Sequence, residues 1–236
     1  MNPADVPSKK TSFRQLIISF FYLLFFCSLN FLVAGNWYWT EAWIYAVSFF
    51  IFSLTTVIYL YFKDPALLNE RFGSPIQKGQ KSWDKFLLMA FLVGTLIWFI
   101  LIPLDAGRFH WSPEFPLWLK VIGAILYISN FPVIFAAFRE NSFAAPVVKM
   151  QKERGQKVIS TGIYSIIRHP MYLGGTLLML GAPLLLGSVY GLLLGILLTI
   201  TLYFRTFGEE KMLIQELEGY PEYMKKVRWR IIPYVF

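Results

Sequence analysis

Five stretches of the chain carry no Asp, Glu, Lys or Arg: residues 15–40, 42–62, 86–104, 121–138 and 171–204, together half of its 236 residues. The shortest holds 18 residues and all are largely apolar, long enough for helices that cross a bilayer. The last, of 34 residues, would reach about 51 Å as one helix, against about 30 Å of hydrocarbon. Pro183, Gly187 and Ser188 interrupt it and suit a tight turn. It is therefore expected to be two helices, about 171–186 and 189–204. The fold class predicted is all-α: a polytopic helical membrane protein with six transmembrane helices, the last two forming a C-terminal helical hairpin.

The positive charges orient this arrangement. Of 22 Lys and Arg residues, 20 fall in four segments: Lys9, Lys10 and Arg14; residues 63–85; residues 139–168; and residues 205–230. Only Arg108 and Lys120 lie in the other loops. With six spans, the four basic segments share one face, which the positive-inside rule makes cytoplasmic. Both termini are then cytoplasmic, and a five-span chain is rejected because its basic C-terminus would fall outside. The first window is read as a span, since its apolar run exceeds that of a cleaved signal peptide.

Charged residues make up only 15% of the chain, against about 25% in soluble domains. The net charge of +8 is assigned to topology and lipid contact, with no nucleic-acid role. The single Cys27 excludes a disulfide framework and reads as a small buried apolar residue. Two histidines and one cysteine cannot close a zinc site without several carboxylates, and no metal is expected. Residues 1–138 are read as a four-span membrane region. Residues 139–236 are read as a catalytic core with a cytoplasmic segment, the hairpin and C-terminal interfacial helices. Asn30 and Asn130 are the main polar residues within spans, and Asn130, beside Pro132, is expected to hydrogen-bond between helices. Gly187, Gly191 and Gly195 recur every four residues; this spacing permits close helix packing, while Gly187 alone also suits the turn.

No G-x-G, G-x-S-x-G, H-E-x-x-H or Walker pattern occurs. Two clusters remain. Gly162 to Gly175 contains Tyr164, Arg168, His169, Pro170 and Tyr172 at the mouth of the fifth span. There a helix N-terminus offers free N–H groups to an anionic group, or Arg168 and Tyr172 simply anchor the interface. Arg205 to Leu213 contains Glu209 and Glu210 at the exit of the sixth span. Arg205 and Glu209 are four apart, and by themselves would form an ordinary helical ion pair. Because the two clusters close one hairpin, Arg168, His169, Tyr172, Arg205, Glu209 and Glu210 are expected to converge. Beyond them, a helix is expected to leave the membrane, stop at Gly219, restart at Pro221 and end near Pro233.

At these residues the chain resembles the isoprenylcysteine carboxyl methyltransferase family. The pattern is G-x-Y-x-x-x-R-H-P-x-Y-x-G from Gly162 to Gly174, then R-x-x-x-E-E-x-x-L from Arg205 to Leu213, then Tyr220 with Tyr223, and Pro233. The match covers about 140–236. The stretches Asp64 to Asp84 and Leu104 to Phe109 also look like bacterial members of this group. Phosphatidylethanolamine N-methyltransferases share the His-Pro-Met-Tyr-x-Gly and Glu-Glu elements but carry an upstream G-x-G that is absent here. Sterol reductases with a related core have more spans.

The resemblance implies a membrane methyltransferase dependent on S-adenosylmethionine (S-adenosyl-L-methionine), without a Rossmann domain. It implies that His169, Tyr172, Glu209 and Glu210, with Arg168 and Tyr164, contact the cofactor. Gly174 would let its nucleoside approach the helix. Arg205 would meet the acceptor carboxylate, shared with Glu209 so that the nucleophile is not over-neutralised. The acceptor expected is an isoprenylcysteine or similar lipophilic compound, entering laterally from membrane lipid. The alternatives are a phospholipid N-methyltransferase or, in another class, a non-catalytic scaffold or small transporter. The active site would face the cytoplasm, from the inner membrane of a prokaryote or the endoplasmic reticulum of a eukaryote. Residues 139–161 either cover the cofactor or bind headgroups, and Asn141 either contacts the cofactor or caps a helix.

Overall fold

A computed structural model describes residues 13–235; Lys9 and Lys10 of the first basic segment lie outside them. The helices are α1 (Phe13–Ala34), α2 (Thr40–Lys63), α3 (Pro65–Arg71), α4 (Ser82–Ile102), α5 (Leu117–Glu140), α6 (Pro170–Leu186), α7 (Val189–Glu216) and α8 (Tyr220–Lys226). A π-helical turn, Pro103–Phe109, extends α4. Five helices are long and apolar enough to span a bilayer: α1, α2, α4 with its extension, α5 and α7. The shorter apolar helix α6 has 17 residues, or about 25 Å. Large apolar side chains face outward along the bundle, including Phe21, Phe25, Leu96, Ile125 and Leu197. Lipid tolerates such a surface where water does not.

The hairpin forms where the interrupted apolar run predicts it. Gly187 ends α6 in the left-handed region at φ 81°, which glycine adopts without a Cβ penalty. Ser188 caps α7 by accepting from the Gly191 amide at 2.8 Å. The arms approach so closely that a Cβ on Gly195 would lie 2.2 Å from the Met179 carbonyl oxygen. Gly191 and Gly195 are thus packing glycines, while Gly187 serves the turn. Helix α5 lies along α6 in the most extensive helix contact of the molecule. Tyr127 of α5 is fully buried and its hydroxyl donates to the Tyr45 carbonyl at 2.8 Å.

The bundle has two polar ends. At the hairpin turn, Asp105 accepts from Ser112 N at 2.8 Å, Ser112 Oγ at 2.6 Å and Ser188 Oγ at 2.6 Å. Lys120 pairs with Glu41 at that end, at 2.6 Å. The other end gathers the start of α1, joined to α3 through Gln15 and Asn69, and the start of α4, joined to the end of α7 through Lys81 and Glu216.

Three expectations change. Asn130 bonds within its own helix, to the Tyr127 carbonyl, and Asn30 likewise to Phe26; a carbonyl one turn back is the nearest acceptor. Helix α7 runs unbroken from Val189 to Glu216, so the second cluster continues the span. Finally, α8 ends at Lys226, and the chain runs on without helix through residues 227–229 into bends and a turn. Trp229 forms a parallel bridge with Ile167, and backbone bonds to that distant segment replace further helical ones.

Candidate active site

The first cluster is held by the C-terminal non-helical segment. Arg168 N donates to the Trp229 carbonyl at 3.0 Å, and His169 N to the Arg230 carbonyl at 2.8 Å. Pro170 then opens α6, where its missing N–H costs nothing. The Arg168 side chain is buried, and donates to the carbonyls of Val227 and Arg228 at 2.8 and 2.7 Å and to Glu210 at 2.7 Å. Glu210 also meets Arg230, at 2.7 Å, and His169 Nε2, at 3.1 Å. A carboxylate flanked by two guanidiniums accepts, so the network assigns the Nε2 proton as donated to Glu210. That leaves His169 Nδ1, which stands 3.8 Å from Glu209 Oε2, too far for a hydrogen bond.

A cavity of about 470 Å³ opens between these groups and the membrane-spanning helices. Its polar end is bordered by Arg168, His169, Tyr172, Arg205 and Glu209, five of the six residues expected to converge. The Tyr172 hydroxyl donates to Glu209 at 2.7 Å. The apolar end is lined by Leu88, Phe91 and Leu92 of α4, Ile134 of α5, Leu178 and Met179 of α6, and Leu202 of α7. Residues 143–149 and 156–159 line it as well, so part of the 139–161 segment forms a wall of the cavity. Asn141 stands at the C-terminal cap position of α5 and lines the cavity, with Nδ2 donating to the Tyr164 hydroxyl at 3.1 Å. Burial pushes that Tyr164 hydroxyl above the ordinary tyrosine range, so it stays neutral.

Several residues stand elsewhere than expected. Arg205 does not pair with Glu209. Its Nε donates to Asp84 Oδ1 at 2.6 Å and its Nη2 to the Pro146 carbonyl at 2.6 Å. Gly174 faces α5: a Cβ there would sit 2.4 Å from Ile134 Cγ1. Its neighbour Gly175 lines the cavity instead, because successive helix positions turn by about 100°. Glu210 and Gly174 are not among the lining residues; Glu210 sits behind His169 and orients it. Arg168 borders the cavity, yet its Nε and Nη1 are committed to protein acceptors. It fastens the C-terminal segment rather than a headgroup.

Two contributors escaped sequence reasoning. Asp84, fully buried, is the acidic partner of Arg205. Its signals were to be a lone acid at the start of a span and to close the stretch from Asp64 that resembles bacterial members of the group. Arg71, read as a topological charge, borders the cavity, donates to the Ala144 carbonyl at 3.1 Å and lies over the Phe138 ring at 4.3 Å. Burial pushes its guanidinium down to about 10, still charged at neutral pH.

Residues 118–218, from the first turn of α5 to just past α7, match the family model described as phospholipid methyltransferase. That family is related to the isoprenylcysteine carboxyl methyltransferases whose motifs the chain resembles. No curated protein matches the chain. The match and the apolar helices together support a membrane methyltransferase.

Proposed function

We propose that the protein moves the methyl group of S-adenosylmethionine to a lipophilic acceptor, most simply the carboxylate of an isoprenylcysteine or similar compound. The residues fit the cofactor: the cavity lies within the size range of small-molecule sites, and its polar end offers an anionic Glu209, an aromatic Tyr172 and the unshared Nδ1 of His169. Glu209 would hold positively charged groups of the cofactor, and Tyr172 would present its ring face to them. When bound, the cofactor supplies an electrophilic methyl on a sulfonium sulfur.

The observation that carries the acceptor reading is Arg205. It is 8% exposed, borders the cavity, and makes no hydrogen bond through Nη1 to the described residues. A guanidinium there holds an anion. A carboxylate is ionised at neutral pH and needs no general base, so the work left to the protein is orientation and exclusion of water. The apolar end of the cavity accommodates a hydrocarbon tail. The side bearing Arg205 is taken as cytoplasmic on the charge distribution.

A second reading, a phospholipid N-methyltransferase, is favoured by the family match, with Arg205 then holding the lipid phosphate. Polar groups gathered around a cavity at one end of the bundle favour either enzyme over a scaffold or transporter. Purified full-length protein is expected to bind S-adenosylmethionine and to methylate farnesylated or geranylgeranylated cysteine analogues. Absence of cofactor binding overturns the proposal; methylation of ethanolamine phospholipids alone selects the second reading.

A further inference from the structure

We propose that Asp84, from a helix outside the matched residues 118–218, is a positioning residue that shapes how Arg205 meets the acceptor and latches a wall of the cavity to it. The inference rests on the methyl-transfer reading above for its catalytic meaning, and on geometry alone for the latch.

Asp84 has no solvent exposure, and its hydrogen-bond partners come from separate parts of the chain. Oδ1 accepts from Arg205 Nε at 2.6 Å; Oδ2 accepts from Gln80 Nε2 at 2.8 Å and from Val148 N at 2.9 Å. Arg205 in turn donates from Nη2 to the Pro146 carbonyl at 2.6 Å. Residues 146–148 therefore hang from both members of one ion pair. They also line the cavity that Arg205 borders. Fastening this wall and orienting the guanidinium are one event.

The arrangement has a chemical consequence. A free guanidinium in an apolar cavity would grip a carboxylate by two parallel hydrogen bonds and full charge, which lowers the nucleophilicity of both oxygens. Here two of the three nitrogens are already engaged, and the Asp84 charge neutralises the cation. Nη1 remains for the acceptor. The acceptor is held by one nitrogen beside a neutral pair, and keeps electron density for the oxygen that attacks.

The test uses full-length protein in nanodiscs with Asp84→Asn, which is nearly isosteric, and Asp84→Glu. Two readouts are taken: kcat against acceptor KM and cofactor Kd, and hydrogen exchange at the Val148 amide. Asp84→Asn is expected to lower kcat by 10-fold or more with no rise in acceptor KM, while cofactor Kd stays within 2-fold, and to speed Val148 exchange at least 10-fold. Asp84→Glu is expected to recover part of both. Unchanged Val148 exchange in Asp84→Asn overturns the latch. An unchanged kcat, or a parallel rise in acceptor KM and cofactor Kd, overturns the positioning role. If the wild-type protein transfers no methyl, the functional reading fails by itself, and Val148 exchange still decides the latch.

Discussion

Two carboxylates without solvent exposure stand at opposite ends of one continuous helical stretch, Ser82–Phe109. Asp105 is satisfied by an amide and two hydroxyls, all neutral, around the hairpin turn. Asp84 is satisfied by an arginine, a glutamine and a backbone amide, and its arginine borders the cavity. Burial is equal; the partners differ. Asp105 closes a lock in which the two serine hydroxyls each donate to it and accept a backbone N–H. Asp84 holds a cation that still has a donor to offer. A buried carboxylate therefore marks a site only when the groups it binds keep unused capacity facing a space.

The contrast breaks in different ways at the two ends. The largest effect is expected from Arg205→Lys and Glu209→Gln, each lowering methyl transfer on the order of 100-fold or more, read by labelled methyl incorporation. Lysine keeps the charge beside Asp84 and avoids stranding a buried carboxylate, which would cost about 3–5 kcal/mol. At the other end, Asp105→Ala leaves buried donors without partners. It is expected to cost roughly 3 kcal/mol of stability, seen as a lower melting temperature, while cofactor Kd of the folded protein is unchanged. A loss of cofactor affinity there would erase the distinction. Gly174→Ala sharpens it further: the added methyl presses on Ile134, costing about 1–2 kcal/mol in a melting curve. Because that face meets α5 and not the cavity, cofactor Kd is expected to hold.

Much of this fold is written in local sequence. Uncharged windows delimit the spanning helices because lipid excludes charge, and Pro183, Gly187 and Ser188 mark the hairpin because the left-handed turn favours glycine. From that hairpin the meeting of His169, Tyr172, Arg205 and Glu209 follows. What was not legible depends on pairs far apart in the chain. Arg205 and Asp84 are 121 residues apart, and no helical spacing joins them; the i,i+4 rule offered Glu209 instead. Gly174 and Gly175 are neighbours in sequence, and only the packing of α5 decides which faces the cavity. The non-helical segment after Lys226 is tied by backbone bonds to Arg168 and His169, which the local pattern cannot supply.

The most direct test of the account is the chemical form of the transferred methyl. Wild-type protein is incubated with methyl-labelled S-adenosylmethionine and an equimolar mixture of farnesylcysteine analogue and ethanolamine phospholipid, alongside Arg205→Lys. The account predicts label in the farnesylcysteine fraction, released as methanol by mild base because it is a carboxyl ester, and its loss in Arg205→Lys. Label that stays base-stable on the lipid amine, or equal incorporation by the variant, would contradict it.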